Sequence, residues 1–448
     1  MVVYNGAGAI FSQGAVLTVT PAAQTPRAWG TAVAIETNNT GTAESVQVAA
    51  NASGQVVAVW HESDGTTLNI YANRYALATG WGTPQRINPG IALETAQQPH
   101  VAIDDNGNAI AVWMQSDFAR NRSANDIWAS RYTAQAGWSA PVLIESSFAD
   151  AGSPRVSMDG AGNAIAVFWQ HIGERIGIYA TRFEPATGWG RTMAVETDNS
   201  FEGVVPQIAM DASGRATVVW QAVVFTAGAV SGYQVRGNRY TPAAGWDSAV
   251  SVGVAYSNPS PRVAVDSSGY AVAVWVAPDG AWDSIWSSRT TAGGGWTQPV
   301  LIETDNTNSA RNPHVAFDGS GNAIAVWAQS DGLRDNIMAN RYVAGAGWGG
   351  AVLIETDNAG SAYEPQVVID GSGNATAVWS QRNVAGFTFN AWANRYSPAT
   401  GWGTPTVIDS SPEPARSTQI AIDGLGNVTA VWAQTSGTRT DIWANALR

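Results

Sequence analysis

The stretch GNAIAVWAQSDGLRDNIMANRY, residues 321–342, holds two apolar-patterned runs separated by a polar turn. Alternation with period two, in runs too short for an amphipathic helix, predicts two half-buried β-strands joined as a pair. Close copies of the stretch recur down the 448-residue chain, and that repetition decides the fold. The tryptophan of AVW falls at 60, 113, 220, 275, 327, 379 and 432, with Phe168 in the third place. A second tryptophan series stands at 29, 81, 138, 189, 246, 296, 348 and 402, its members 50 to 57 residues apart. The chain therefore contains eight units.

Each unit reads as four short strands, shown best by PQVVID (365–370), NATAVWSQ (374–381), NAWANRY (390–396) and WGTPTVID (402–409), here strands A to D. The A–B link is of the DGSGN type, with glycine at 54, 107, 162, 214, 269, 321, 373 and 426 supplying the positive φ of a tight turn. The C–D link is also short. The B–C and D–A links are longer and more variable, which places them together on the opposite rim. These features predict an all-β, eight-bladed β-propeller of four-stranded antiparallel blades, about 53 residues per repeat, whose circular closure protects the sheet edges.

Residues 29–448 are expected to form the propeller, closed by a strand at 29–37 that joins the C-terminal strands. Residues 1–28 are read as a leader in which NGAGAIFSQ (5–13) is the remnant of a worn strand B.

The repeated residues carry mostly structural expectations. Tryptophan alternating with alanine in strand B suits packing between blades. Strand A ends in aspartate at 104, 159, 211, 266, 318, 370 and 423, with Asn51 in the first unit, and strand C carries arginine at 74, 131, 182, 239, 289, 341 and 395. Turn carboxylates and strand-bridging guanidinium groups explain both series. The candidate ligand-binding residues are the strand C aromatics Tyr71, Trp128, Tyr179, Trp286, Trp392 and Trp443, flat rings beside polar groups. Unit three doubles its aromatic (AVFWQ, 166–170), and inserts at 223–234 and 382–389 lengthen two B–C loops.

Hydrophobic residues at 45% and 21 tryptophans require a large core. Cysteine is absent, which excludes disulfides and thiol catalysis, and the formal charge of −12 argues against a nucleic-acid partner. No apolar run approaches the roughly 18 residues of a membrane-spanning helix. The four histidines (61, 100, 171, 314) read as occupying unrelated places in the unit, so no zinc set is expected, and E-T-D-N (303–306, 355–358) lacks the spacing of a calcium loop. No catalytic elbow, zinc-protease or phosphate-loop motif occurs, so no catalytic residue is nominated and no cofactor is expected.

The VAIDGSGNAIAVW pattern resembles bacterial secreted repeat propellers, and its Asp-x-x-Gly-Asn turns (Asp104 to Asn108, Asp318 to Asn322, Asp370 to Asn374) resemble those of NHL-repeat propellers. The tryptophan-rich blades are similar to bacterial propeller lectins, which bind sugars between blades. That resemblance implies a non-enzymatic, lectin-like carbohydrate-binding module at the cell surface or outside the cell, with glycans or a surface protein as partner. The alternatives are a structural or protein-docking component of a surface assembly and a glycan-processing hydrolase.

Overall fold

A computed structural model describes residues 3–5, 8–10, 27–37, 41–90, 94–116, 124–145, 149–173, 175–198, 200–226, 229–291, 294–357, 360–383 and 388–448. Eight four-stranded antiparallel sheets follow one another around a ring, each ordered A-B-C-D from the axis outward. In blade 2 the strands are Ala96–Ile103, Ala109–Ser116, Asn125–Thr133 and the split outer strand Gly137–Trp138 with Val142–Leu143. The outer strand of blade 8 comes from the other end of the chain: Val33–Ala34 pairs with Ala444 and Trp443, and Gly30 and Ile35 donate to the carbonyls of Ala446 and Ile442 at 2.9 and 2.8 Å. Within the segment read as a worn strand, Gly8–Ile10 pairs with Val3–Asn5; its other residues after Asn5 lie outside the described ones.

Strand B is the middle of each core. In blade 2 its odd-numbered side chains Ala109, Ala111 and Trp113 pack on blade 1, while Ile110, Val112 and Met114 pack on blade 3. All seven strand B tryptophans and Phe168 are fully buried. At about 150–250 Å² each, such side chains contribute roughly 4–6 kcal/mol of apolar burial per blade as an upper bound.

A buried indole also needs an acceptor, and the sequence supplies one two residues on. Trp113, Trp327, Trp379 and Trp432 donate to Gln115, Gln329, Gln381 and Gln434 at 3.0, 2.9, 2.8 and 2.8 Å. The glutamine amides donate onward to the D–A connection, to Glu94, to the carbonyls of Asp305 and Asp357, and to the carbonyl of Glu413. Where that position is alanine, at Ala222 and Ala277, the Trp220 and Trp275 Nε1 groups have no partner among the described residues.

Two further devices lock neighbouring blades. Asn73, Asn238, Asn340, Asn394 and Asn445 of strand C each donate to two carbonyls, one on the blade before and one on their own outer strand. The strand C arginines reach the other way: Arg74 lies 3.7 Å over the Tyr132 ring and donates to the Gly107 carbonyl, and Arg131, Arg182, Arg289 and Arg341 face Phe183, Tyr240, Tyr342 and Tyr396. Blade 8 has Ala446 at this place, and Arg448 stacks on Tyr75 of blade 1 in its stead.

Replacing Gln329 with leucine strands both the Trp327 N–H and the Asp305 carbonyl, and should lower stability by about 1–3 kcal/mol. Trp327→Ala should lower it by about 3–5 kcal/mol. Denaturant unfolding followed by far-UV circular dichroism measures both.

Candidate functional site

The inner strand of each blade carries a feature without glycine or a turn motif to announce it. Ser45, Gln98, Ser153, Val205, Ser260, Asn312, Glu364 and Ser417 occupy one structural position and all have φ between 39° and 55°. In seven blades the A–B ladder shifts register across this residue, for example between Arg311 and His314. A bulge of this kind re-aims the side chains beside it. Proline follows it at 99, 154, 206, 261, 313 and 365, tolerated because the inner face of strand A has no further strand to bond.

Two residues past each bulge start comes a second ring: Gln47, His100, Arg155, Gln207, Arg262, His314, Gln366 and Gln419. All eight are partly buried. Residues of both rings line a cavity of about 430 Å³ on the propeller axis, from strand A of every blade but the fourth; of the second ring Gln47, Arg155, Arg262, Gln366 and Gln419 take part. Glu364 is the one carboxylate among its lining residues.

His100 and His314 thus hold equivalent places, four residues before Asp104 and Asp318, and the expectation that the histidines are positionally unrelated is corrected. Counting back from the strand-ending aspartates would have found the ring. The Nδ1 atoms of His100 and His314 accept the N–H groups of Val156 and Val367, both at 3.3 Å, so the neutral rings carry their proton on Nε2. Burial first, then the Arg155 and Arg262 charges, pushes His100 down to about 3; burial and Arg262 do the same to His314. Arg155 is held down to about 10 by burial and by Arg262, and Arg262 is lowered by burial. Each guanidinium donates to the carbonyl of the proline before it, at 2.9 and 3.2 Å, and neither forms an ion pair among the described residues.

The strand C aromatics lie elsewhere. Tyr71 stacks on Trp60 with ring centroids 6.3 Å apart, and Trp128, Tyr179, Trp286, Trp392 and Trp443 stand opposite Trp113, Phe168, Trp275, Trp379 and Trp432 across the B–C ladders. All six are half-buried against the cores, one per blade, and are not brought together. Arg236 takes this position in blade 4 and forms a buried ion pair with Glu196 at 2.6 Å. Seams between blades 3 and 4, 5 and 6, and 6 and 7 hold apolar openings of about 340, 420 and 380 Å³, but their arginines already stack on aromatic rings. The repeated aspartates are occupied in their turns; Asp318 accepts the N–H groups of Ser320 and Asn322 and the Asn322 side-chain amide at 2.7–2.9 Å. Unit three's extra aromatic, Trp169, donates to Ser153 Oγ of the bulge ring at 3.2 Å. Phe387 lies outside the described residues. Among the described residues no three His, Asp or Glu side chains converge as a metal-ligand set.

No family model and no curated protein matches the sequence. Solved structures of similar shape include the polysaccharide lyase Uly1 (8% identity, 88% of each chain, TM-score 0.48). Another is an α-L-arabinanase of Penicillium chrysogenum (11% identity, 84% of this chain and 99% of that one, TM-score 0.45). A third is an intramolecular trans-sialidase of Ruminococcus gnavus (9% identity, 89% and 93%, TM-score 0.41). Likeness at this level concerns the fold. All three are named for catalytic activities, and against them the expectation of a non-enzymatic, lectin-like binding module with no catalytic role is withdrawn.

A histidine whose folded pKa is depressed contributes stability above its unfolded value near 6.5 and loses it as pH falls toward about 3. Glutamine fills the same ring position in four other blades. The double variant His100→Gln/His314→Gln should therefore lose less stability than the wild type between pH 6.5 and 4, read as the difference between two denaturation series.

Proposed function

We propose that this chain is a glycan-processing enzyme, working outside the cell, whose reaction takes place at the mouth of the central channel. The observation that carries the reading is convergence. In a body built from eight similar blades, Arg155, Arg262 and Glu364 come from three different blades to line one cavity, with His100 and His314 at the neighbouring ring positions of blades 2 and 6. Shifted titratable groups beside a cavity are candidates for a functional site.

The cavity's lining favours a sugar over an apolar ligand. Ser45, Gln47, Gln98, Asn312 and Gln366 present hydroxyls and amides rather than the hydrophobic wall of a typical small-molecule pocket. Its volume of about 430 Å³ holds one or two sugar rings. The sugar-acting names of the structural neighbours agree with this, but the weight rests on the cavity.

Glu364 takes the acid–base role, as the carboxylate that lines the cavity. The two-carboxylate arrangement of most glycoside hydrolases is not met by the described lining residues. The chemistry that fits is proton transfer through Glu364, directly or to a bound water, with the guanidinium groups and the neutral imidazole Nε2–H groups stabilising developing negative charge.

The test is release of new sugar ends from a panel of neutral and acidic polysaccharides by the purified chain, with Glu364→Gln as the comparison. Glu364→Gln should lower kcat by about 10²-fold or more with KM nearly unchanged. Turnover that survives this substitution, or no turnover on any polysaccharide, overturns the proposal.

A further inference from the structure

We propose that the channel site takes a carboxylate-bearing sugar, a uronate residue, clamped by Arg155 and Arg262. The inference rests on the reading of the channel mouth as the functional site and deepens it by naming the ligand class.

Three observations carry it. The first is the state of the two guanidinium groups. Elsewhere arginines are engaged: Arg215 with Asp211 and Arg236 with Glu196 at 2.6 Å, Arg311 with Asp335, Arg439 with Asp441 at 2.9 Å, and Arg74 on the Tyr132 ring. Arg155 and Arg262 have only the carbonyls of their own prolines among the described residues. Two partly buried cations that repel one another across a channel are costly unless an anion joins them.

The second is the setting. The chain carries 35 acidic against 23 basic side chains, so carboxylates to neutralise these arginines were abundant in composition, yet among the described residues none forms an ion pair with them. The flanking histidines are neutral and keep hydrogen-bond donors on Nε2.

The third is the lining itself. Arg155 of blade 3 and Arg262 of blade 5 both line the axial cavity, on either side of blade 4, whose Gln207 is not among the lining residues. A planar carboxylate accepts the paired N–H groups of a guanidinium edge.

The test is calorimetric titration of the full chain at low salt with galacturonate and glucuronate oligosaccharides. The comparisons are the same oligosaccharides with the carboxyl reduced to an alcohol, and neutral oligosaccharides bearing sulfate esters. The uronates should bind at least about tenfold more tightly than their reduced counterparts. Arg155→Met and Arg262→Met should each cost about tenfold, and Gln207→Leu, outside the lining, should leave the affinity nearly unchanged. Circular dichroism and thermal melting show that each variant is folded, and Arg155→Lys and Arg262→Lys provide charge-retaining controls that should recover part of the affinity. Equal binding of uronate and reduced sugar, or unchanged uronate binding by the folded double methionine variant, overturns the inference, and a preference for sulfate esters overturns the carboxylate assignment. Uronate binding without turnover would support this inference while sinking the enzymatic reading. Turnover of neutral glycans without any uronate preference would do the reverse.

Discussion

Neither face of a blade can be left to water. Strand B of each blade presents alanine and tryptophan (in blade 3, Phe168) to one neighbour and valine or isoleucine to the other, and every one of these aromatic residues is fully buried. A stack of such sheets must either cap its ends or join them. Here they join: Val33–Ala34 pairs with the last strand C, and Val431, Ala433, Ile442 and Ala444 of blade 8 pack with Val46, Ala58 and Trp60 of blade 1. The inter-blade clasps follow the same logic, with Asn pointing to the blade before and Arg to the blade after, so each seam is bonded from both sides.

Eightfold packing of this kind leaves little freedom in the seams and much in the middle. A substitution at strand B must fit two neighbours, whereas the residue two past the strand A bulge faces the axis. That position varies among Gln, His and Arg with no change in the strands that hold it. The bulge makes this variation useful. A regular strand would alternate its side chains between two faces of a blade; the register shift, with φ near 54° at Gln98 and Asn312, turns the local chain so that polar groups look into the channel. Left-handed backbone at a β-branched residue, Val205, is strained, and the ladder on either side holds it there.

The parts of this fold that were legible in the sequence are those written in period and punctuation. Strands B and C alternate cleanly, and the DGSGN turns carry glycine where positive φ is required, as at Gly321 and Gly373. The number of blades followed from two tryptophan series. The bulge ring was not legible, because its positive-φ residues are serine, glutamine, asparagine, glutamate and valine, none of which signals that conformation by itself. The second ring was half-legible: a Pro-Gln, Pro-His or Pro-Arg pair precedes six of the seven aspartates, but histidines grouped by type rather than by register look scattered. The strand C aromatics stood out because they repeat, and in the structure each is half-buried against a blade core.

The charge distribution sets how such a site would work. The molecule is strongly acidic, yet its axial cavity is lined by two arginines, Arg155 and Arg262, and one carboxylate, Glu364. At physiological ionic strength surface charges are screened beyond about 8 Å, so the net charge opposes an acidic polymer only weakly during approach. Inside the channel, walled by protein and narrow in water, the same screening is largely lost and the guanidinium groups act at closer to full strength. Recognition of an anion there is consequently a matter of residence rather than of capture. The acidic exterior discourages loose adhesion of polyanions to the outer surface, and the cationic centre rewards only a group that enters between Arg155 and Arg262. A propeller with the opposite arrangement, basic outside and neutral within, would bind the same polymers faster and discriminate among them less.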